Sequence, residues 1–138
     1  MRRLIYLMPV IIALILVASC VKTNSTPAKP SNPIQGLWIG TQLSGTATAD
    51  SLYYSLDIRA DSSLILSSQL PDGTMMYASG PWTLTGTTFF ATVTGLNTQT
   101  KSFVQRIQGS YDKGIGWLLG GWVNADNSSG TFTTYRVL

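Results

Sequence analysis

The chain has 138 residues, which fits one folded domain and leaves no room for two. Only 11% of the residues are charged, against ~25% in ordinary soluble proteins, and there is neither His nor Glu. Without Arg2 and Arg3, which lie in a segment that we expect to be removed, seven basic residues face six Asp, and this net charge of +1 argues against nucleic-acid binding.

The first nineteen residues have the pattern of a secretory signal. Met1-Arg2-Arg3 is a short positive start, and residues 4–18 are apolar apart from Pro9. A charged start, an apolar stretch of ~7–15 residues and a small residue before the cut define such a signal. A spanning helix needs ~20 apolar residues. We therefore expect residues 1–19 to be a cleaved signal peptide, with an uncleaved N-terminal anchor as the alternative.

Val17-Ala18-Ser19-Cys20 resembles the lipobox of bacterial lipoproteins. In that family a diacylglyceryl group is attached to the Cys sulfur, the preceding bond is cut and the new amine is acylated. The resemblance implies that Cys20 is the lipidated N-terminus and that it holds the protein on a lipid bilayer, since several acyl chains anchor a protein stably. It implies a location in the bacterial cell envelope, at the outer membrane by expectation, with the domain periplasmic or surface-exposed.

Residues 20–33 predict a flexible tether. Three prolines mixed with Ser, Thr, Asn and Lys cannot bury a core, so this segment spaces the folded domain, residues 34–138, from the bilayer.

The domain has the alternation of β-strands. In residues 52–59 one face carries Leu52, Tyr54, Leu56 and Ile58, and short turn-forming runs separate this segment from its neighbours. The pattern predicts eight antiparallel strands at 36–45, 51–60, 63–70, 75–85, 87–95, 101–111, 115–123 and 130–137. Tight connections and closure of the edges favour a single all-β, eight-stranded antiparallel up-and-down barrel. A β-sandwich, which needs longer Greek-key connections, is the alternative.

The two ends of this domain resemble the lipocalin and avidin-like barrels of the calycin superfamily. The first strand carries Gly36-Leu37-Trp38, and the last carries Arg136. In that family a Gly-x-Trp plugs one barrel end, and an Arg or Lys of the last strand stacks on its ring. The resemblance implies that Trp38 and Arg136 form this structural pair. The chain lacks the helix and disulfides common in secreted lipocalins, and no biotin-type polar set aligns, so the resemblance implies no particular ligand.

The sequence contains few residues that could catalyse a reaction or bind a metal. With no His or Glu and with Cys20 acylated, the remaining bases are Asp, Lys and Tyr. Asp72, Asp112 and Asp126 fall in turns, where Asp usually bonds its own backbone, and Asp57 falls on the outward face of its strand. The usual zinc ligands are Cys and His, and calcium sites need clustered oxygen ligands. We therefore expect no enzymatic activity, no metal and no cofactor.

Each of the four tryptophans follows a Gly by one or two residues. The simpler interpretation is packing of the core and of a barrel end, and the sharper one is an aromatic-lined cavity for a small apolar ligand. Alternation from Ile115 puts Trp117 and Leu119 inside the barrel and Trp122 outside. The cavity residues that we predict are Tyr54, Phe89, Phe103 and Trp117.

Two functions are compatible with this pattern. The first is a membrane-anchored envelope lipoprotein with a non-catalytic, lipocalin-like domain that binds a small apolar ligand. The second is a structural or protein-interaction lipoprotein with a filled core and no small ligand. An apolar cavity of ~300 Å³ or more would favour the first function.

Overall fold

The computed structural model describes residues 32–45, 51–96 and 103–137. Within these ranges lie eight strands and no helix: β1 (Gly36–Ser44), β2 (Leu52–Ile58), β3 (Ser63–Gln69), β4 (Met75–Thr85), β5 (Thr88–Gly95), β6 (Val104–Asp112), β7 (Trp117–Asn124) and β8 (Ser129–Arg136). The predicted signal peptide, Cys20 and the tether up to residue 31 lie outside the described residues. The described part contains no helix long and apolar enough to cross a membrane.

The eight strands form a closed antiparallel barrel. Each strand pairs with its neighbours in sequence, and β1 also pairs with β8, from Trp38 opposite Arg136 to Ser44 opposite Gly130. Closure confirms the up-and-down barrel and overturns the sandwich alternative. The predicted strand bounds agree with the observed ones to within three residues. The differences fall at strand ends, where turn residues leave the ladder.

Strand alternation sorts the side chains into a filled interior and an outer surface. In β3, Leu64, Leu66 and Ser68 point inward and are buried, whereas the residues between them are partly exposed. The same alternation in the other strands gives one continuous cluster of buried residues that runs from Ile34 to Phe132. Burial of this cluster is the main favourable contribution to folding.

β7 faces the opposite way from the prediction. Leu118 and Trp122 are buried, whereas Leu119 is 36% exposed. Trp117 lies on the outer face, where its ring packs edge-on against Tyr135 with the centroids 5.4 Å apart. The predicted phase started from Ile115, but that residue belongs to the turn before β7 and is 63% exposed. The positive φ of 74° at Gly116 resets the alternation between the turn and the strand.

Glycines mark the closest approaches between strands. A Cβ built on Gly40, Gly80 or Gly120 would lie 1.9–2.1 Å from a carbonyl oxygen of the adjacent strand. No side chain fits there, so these positions let the strands coil tightly around a small core. Each of the three lies two residues from a tryptophan that points into the barrel, namely Trp38, Trp82 or Trp122.

Candidate functional site

One end of the barrel is closed by the segment before β1. The side chain of Ile34 is fully buried, and its carbonyl oxygen accepts a 2.8 Å hydrogen bond from Nε1 of the fully buried Trp38. Tyr111 packs edge-on against the Trp38 ring, at 5.7 Å between centroids, and donates its hydroxyl to the carbonyl of Pro33 at 3.1 Å. Pro33, which the sequence assigned to the tether, is therefore part of the cap over this end.

Arg136 secures the same cap. Its Nη1 donates to the carbonyl of Pro33 at 2.9 Å, and its Nη2 donates to the carbonyl of Gln35 at 2.7 Å. The residue lies opposite Trp38 in the β1–β8 ladder, beside the position that the calycin resemblance implied. These carbonyl hydrogen bonds tie the cap to the last strand.

The core next to this closed end is filled. Phe89 is fully buried and stacks on Trp82 with the centroids 6.3 Å apart, and Trp82 Nε1 donates to the carbonyl of Arg59 at 3.1 Å. Phe89, which the sequence predicted to line a cavity, therefore belongs to the buried core and is not among the residues that line the open-end cavity described below. The reason is its place at the start of β5, which lies at the closed end of the barrel.

The opposite end of the barrel holds a cavity of about 460 Å³. Its lining comes from the end of β1, β3 and β7 and from the start of β2, β4 and β6, so it opens at the end away from Trp38. Apolar side chains and uncharged polar side chains line it together: Leu52, Leu70, Met76, Phe103 and Trp122, with Gln42, Ser68, Gln105 and Asn124.

Two of the four predicted cavity aromatics lie at this cavity. Phe103 lines it, and a Cβ added to Gly95 would lie 2.7 Å from the Phe103 ring, so the glycine leaves room for the aromatic side chain. Tyr54 lies beneath the lining, fully buried and stacked on Phe132 with the centroids 5.1 Å apart. Its hydroxyl donates to Oε1 of Gln105 at 3.4 Å. Burial raises the pKa of Tyr54 above its ordinary value, so the hydroxyl stays neutral.

Hydrogen bonds fix the polar part of the lining. Gln105 donates Nε2 to Oδ1 of Asn124 at 3.0 Å, and Asn124 donates Nδ2 to the hydroxyl of Ser128 at 2.9 Å. Across the cavity, Gln42 donates Nε2 to the hydroxyl of Ser68 at 2.7 Å. Buried polar groups held in this way have defined positions and can orient a ligand.

Sequence reasoning missed these polar residues, although a signal for them exists. Gln42 has the same strand phase as Trp38, Ser68 that of Leu64 and Gln105 that of Ile107, so each is a polar residue on an inward face. All three lie near the open-end terminus of their strands. Polar residues in the inward phase at one common end indicate a polar cavity at that end.

The indole N–H of Trp122 differs from the other polar groups of the cavity lining. The residue is 5% exposed, and its Nε1 is buried with no hydrogen-bond partner among the described residues. Its ring lies over Gly130 of β8, where an added Cβ would come within 2.5 Å of the ring carbon Cζ2. The prediction that Trp122 points outward was therefore wrong, because the phase of β7 is reversed.

A larger concavity, of about 880 Å³, lies on the outside of the barrel. Its lining includes the outward-facing side chains of Phe90, Arg106, Leu119 and Val123 on β5, β6 and β7. These side chains are exposed to solvent, whereas the smaller cavity has buried polar groups held in place by hydrogen bonds. We place the candidate site at the barrel end, because buried and positioned groups are what give a small-molecule site its selectivity.

Apart from Asp57, which lies in β2, the acidic residues of the described part serve its turns. Asp61 and Asp126 each accept hydrogen bonds from the hydroxyl of the Ser two residues on, at 2.6 Å, and from its backbone N–H, at 2.9 Å. Asp72 accepts one from the N–H of Thr74 at 2.9 Å. These bonds hold the pKa of all three carboxyls below the ordinary value. No group of three His, Cys, Asp or Glu that could hold a metal occurs among residues 32–45, 51–96 and 103–137.

Comparison with known proteins adds a fold likeness. No protein-family model matches the sequence, and the comparison with curated proteins gives no match. The chain is similar to a redesigned β-barrel, b11L5F_LGL, with a TM-score of 0.59 and 18% identity over 77% of this chain and 93% of that one. It is also similar to a redesigned β-barrel, mFAP1, bound to DFHBI, with a TM-score of 0.57 and 17% identity over 75% of this chain and 95% of that one. At such identities the likeness shows the barrel fold alone.

Proposed function

We propose that this chain is a membrane-anchored envelope lipoprotein whose barrel binds a small apolar ligand and catalyses no reaction. The observation that carries the proposal is the cavity of about 460 Å³ at the open end of the barrel. Small-molecule sites are concave, mostly apolar and about 300–1,000 Å³ in volume, with a few positioned polar groups. The open-end cavity has each of these properties.

The cavity favours this function over that of an interaction lipoprotein with a filled core. Buried side chains occupy the barrel from the Ile34 cap to the stacked pair of Tyr54 and Phe132, and the cavity is lined by Gln105, which accepts the Tyr54 hydrogen bond. A purely structural barrel gains nothing from leaving such space, since a void forfeits dispersion contacts. The redesigned barrel mFAP1, of similar fold, is bound to DFHBI, which supports the use of a barrel of this kind for a small molecule.

The anchoring half of the proposal rests on the lipobox-like residues 17–20 and on Cys20 being the chain's one cysteine. The chain enters the barrel at its closed end, where Ile34 and Pro33 form the cap. The tether therefore joins the barrel at the end opposite the cavity. A barrel anchored in this way keeps its open end away from its own attachment point.

Native mass spectrometry of the full chain, purified in detergent from the membranes of its own host, tests the ligand half. We expect a small-molecule adduct that is lost on denaturation. Met76→Trp, which places a large ring in the cavity, should abolish the adduct, because Met76 lines the space. An adduct that persists in this variant would put the ligand elsewhere on the protein.

A further inference from the structure

Trp122 leaves one hydrogen-bond donor of the cavity wall unused. In the described part of the chain, the side chains of Gln42, Gln105 and Asn124, which line the cavity, have hydrogen-bond partners. The indole Nε1 of Trp122 has none among these residues. A buried donor without a partner lowers the stability of the fold, and native proteins rarely contain one without a reason. A partner supplied by a bound molecule would remove that cost.

The environment of Trp122 limits what the partner can be. The side chains that line the cavity in the described part of the chain include no Asp, Lys or Arg, so a charged ligand group would be buried there without a counterion. An indole N–H is a donor only, so the ligand atom that meets it must be an acceptor. An uncharged oxygen, as in a ketone, amide, ester or ether, satisfies both conditions.

Trp122 is one of the residues that line the cavity, so its indole borders that space. The ring also packs against Gly130 of β8, where an added Cβ would collide with Cζ2 and Cε2. Because Nε1 has almost no exposed surface, a small rotation of the indole toward the cavity must accompany the contact. Because the ring nitrogen has no hydrogen-bond partner among the described residues, this rotation breaks no hydrogen bond with them.

Building on the proposed ligand binding, we infer that the ligand is a neutral apolar molecule with a hydrogen-bond acceptor, and that Trp122 Nε1 binds this acceptor. Trp122 then selects an oxygen-bearing ligand over a pure hydrocarbon, and the lack of charged side chains in the described lining disfavours a carboxylate. The neighbouring amides of Gln105 and Asn124 bond to each other and hold the wall against which the ligand lies.

A matched set of ligands tests the inference on the full chain. 2-Acetylnaphthalene carries a neutral acceptor, 2-ethylnaphthalene carries none, and 2-naphthoate carries a charge at the same position. We expect Trp122→Phe to weaken 2-acetylnaphthalene by about five- to ten-fold and 2-ethylnaphthalene by less than about two-fold. We expect 2-naphthoate to bind the natural chain at least about ten-fold more weakly than the ketone. Trp82→Phe is the control, because Trp82 Nε1 is already bonded to the Arg59 carbonyl, and it should leave the affinity for all three ligands unchanged.

A second readout needs no folded variant for its interpretation. In a ¹H–¹⁵N spectrum of the natural chain, the indole N–H signal of Trp122 should move further downfield with 2-acetylnaphthalene than with 2-ethylnaphthalene, while the other indole signals respond equally to both. Equal shifts at Trp122, or equal weakening of ketone and hydrocarbon by Trp122→Phe, would overturn the inference and leave the proposed function standing. If neither neutral ligand binds the natural chain, the proposed function itself fails.

Discussion

Arg136 lies opposite Trp38 in the ladder that closes the barrel, and its guanidinium donates to the carbonyls on either side of Ile34, the residue whose carbonyl accepts the Trp38 Nε1 hydrogen bond. The side chain therefore links the last strand to the cap, beside the backbone ladder that joins the last strand to the first. Because the two bonds come from one charged fork, they fix the cap more firmly than neutral bonds would.

Removing this link should destabilise the barrel. We expect Arg136→Ala to lower the free energy of unfolding by about 1–3 kcal/mol, from two lost charge-assisted hydrogen bonds and lost packing of the aliphatic stem. Urea unfolding measures this. The control is Arg59→Ala, which removes an exposed ion pair with Asp57 and should cost under ~0.5 kcal/mol. Equal losses of unfolding free energy in the two variants would mean that the bonds from Arg136 to the cap stabilise the barrel no more than an exposed ion pair does.

Replacing a glycine at a close approach between strands with any larger residue should destabilise the barrel. Gly80→Ala should cost at least about 2 kcal/mol, because its Cβ would meet the carbonyl oxygen of Thr92 at 1.9 Å and the strands must separate. Gly114→Ala, in an exposed turn where the nearest atom is an Asp112 side-chain oxygen at 3.3 Å, should change the stability by under ~0.5 kcal/mol. The comparison uses thermal or urea unfolding. A Gly80→Ala barrel as stable as the natural one would contradict the described approach of β4 to β5.

Stability should depend on pH only at the acid end of the usual range. The pKa values of Asp61, Asp72 and Asp126 are lower in the folded chain than the ordinary 3.8, so folding favours their charged form. Their contribution is complete above that pH and is lost as the pH falls through the folded pKa values. With no His or Glu in the sequence, the free energy of unfolding should be level from about pH 5 to 9 and fall below about pH 4.

Unfolding midpoints measured from pH 2 to 9 check this expectation. Replacing the three aspartates with Asn keeps a side-chain acceptor in each turn but removes the titration, so the fall in stability at acid pH should become smaller. A change of midpoint between pH 5 and 8 would instead point to a titrating group that the described structure does not account for.

Lipidation is the prediction for the N-terminus. Since Cys20 is the chain's one cysteine and follows Val17-Ala18-Ser19, we expect intact-mass analysis of the membrane-extracted protein to give a chain that begins at Cys20 and carries acyl groups. Cys20→Ala should yield an unlipidated precursor, whereas Ser25→Ala, in the tether, should be processed normally. Mature protein without acyl mass, or with residues before Cys20 still attached, would contradict the prediction.

Most of the fold could be predicted from the sequence because strand alternation and turn chemistry are local. The eight strands, their order and the closure of β1 on β8 all follow from short apolar runs separated by turns. The side that β7 presents to the core could not be predicted, because it depends on the φ of Gly116, which sequence alternation does not contain. One residue of error in phase exchanged Trp117 for Trp122.

The candidate site was predicted less completely than the fold. Phe103 lines the cavity and Tyr54 supports it, but Phe89 belongs to the filled end. Which end of the barrel is filled depends on the cap of residues 32–35, and the sequence assigns residues 32 and 33 of this cap to the proline-rich tether. Strand alternation indicates that an aromatic side chain points into the barrel. Only the position of the cap shows whether that side chain lies in the filled part of the interior or at the cavity.

Binding of a neutral apolar fluorophore to the open-end cavity tests the central claim most directly. N-phenyl-1-naphthylamine should bind the natural chain saturably, at one molecule per barrel, with a rise in emission and a Kd of order 1 μM. Met76→Trp, which fills the cavity, should weaken binding at least about ten-fold, whereas Met75→Trp, on the outward face of the same strand, should change it by less than about two-fold. Equal binding by the natural chain and Met76→Trp, or no saturable binding to the folded natural chain, would contradict a ligand site at this end of the barrel.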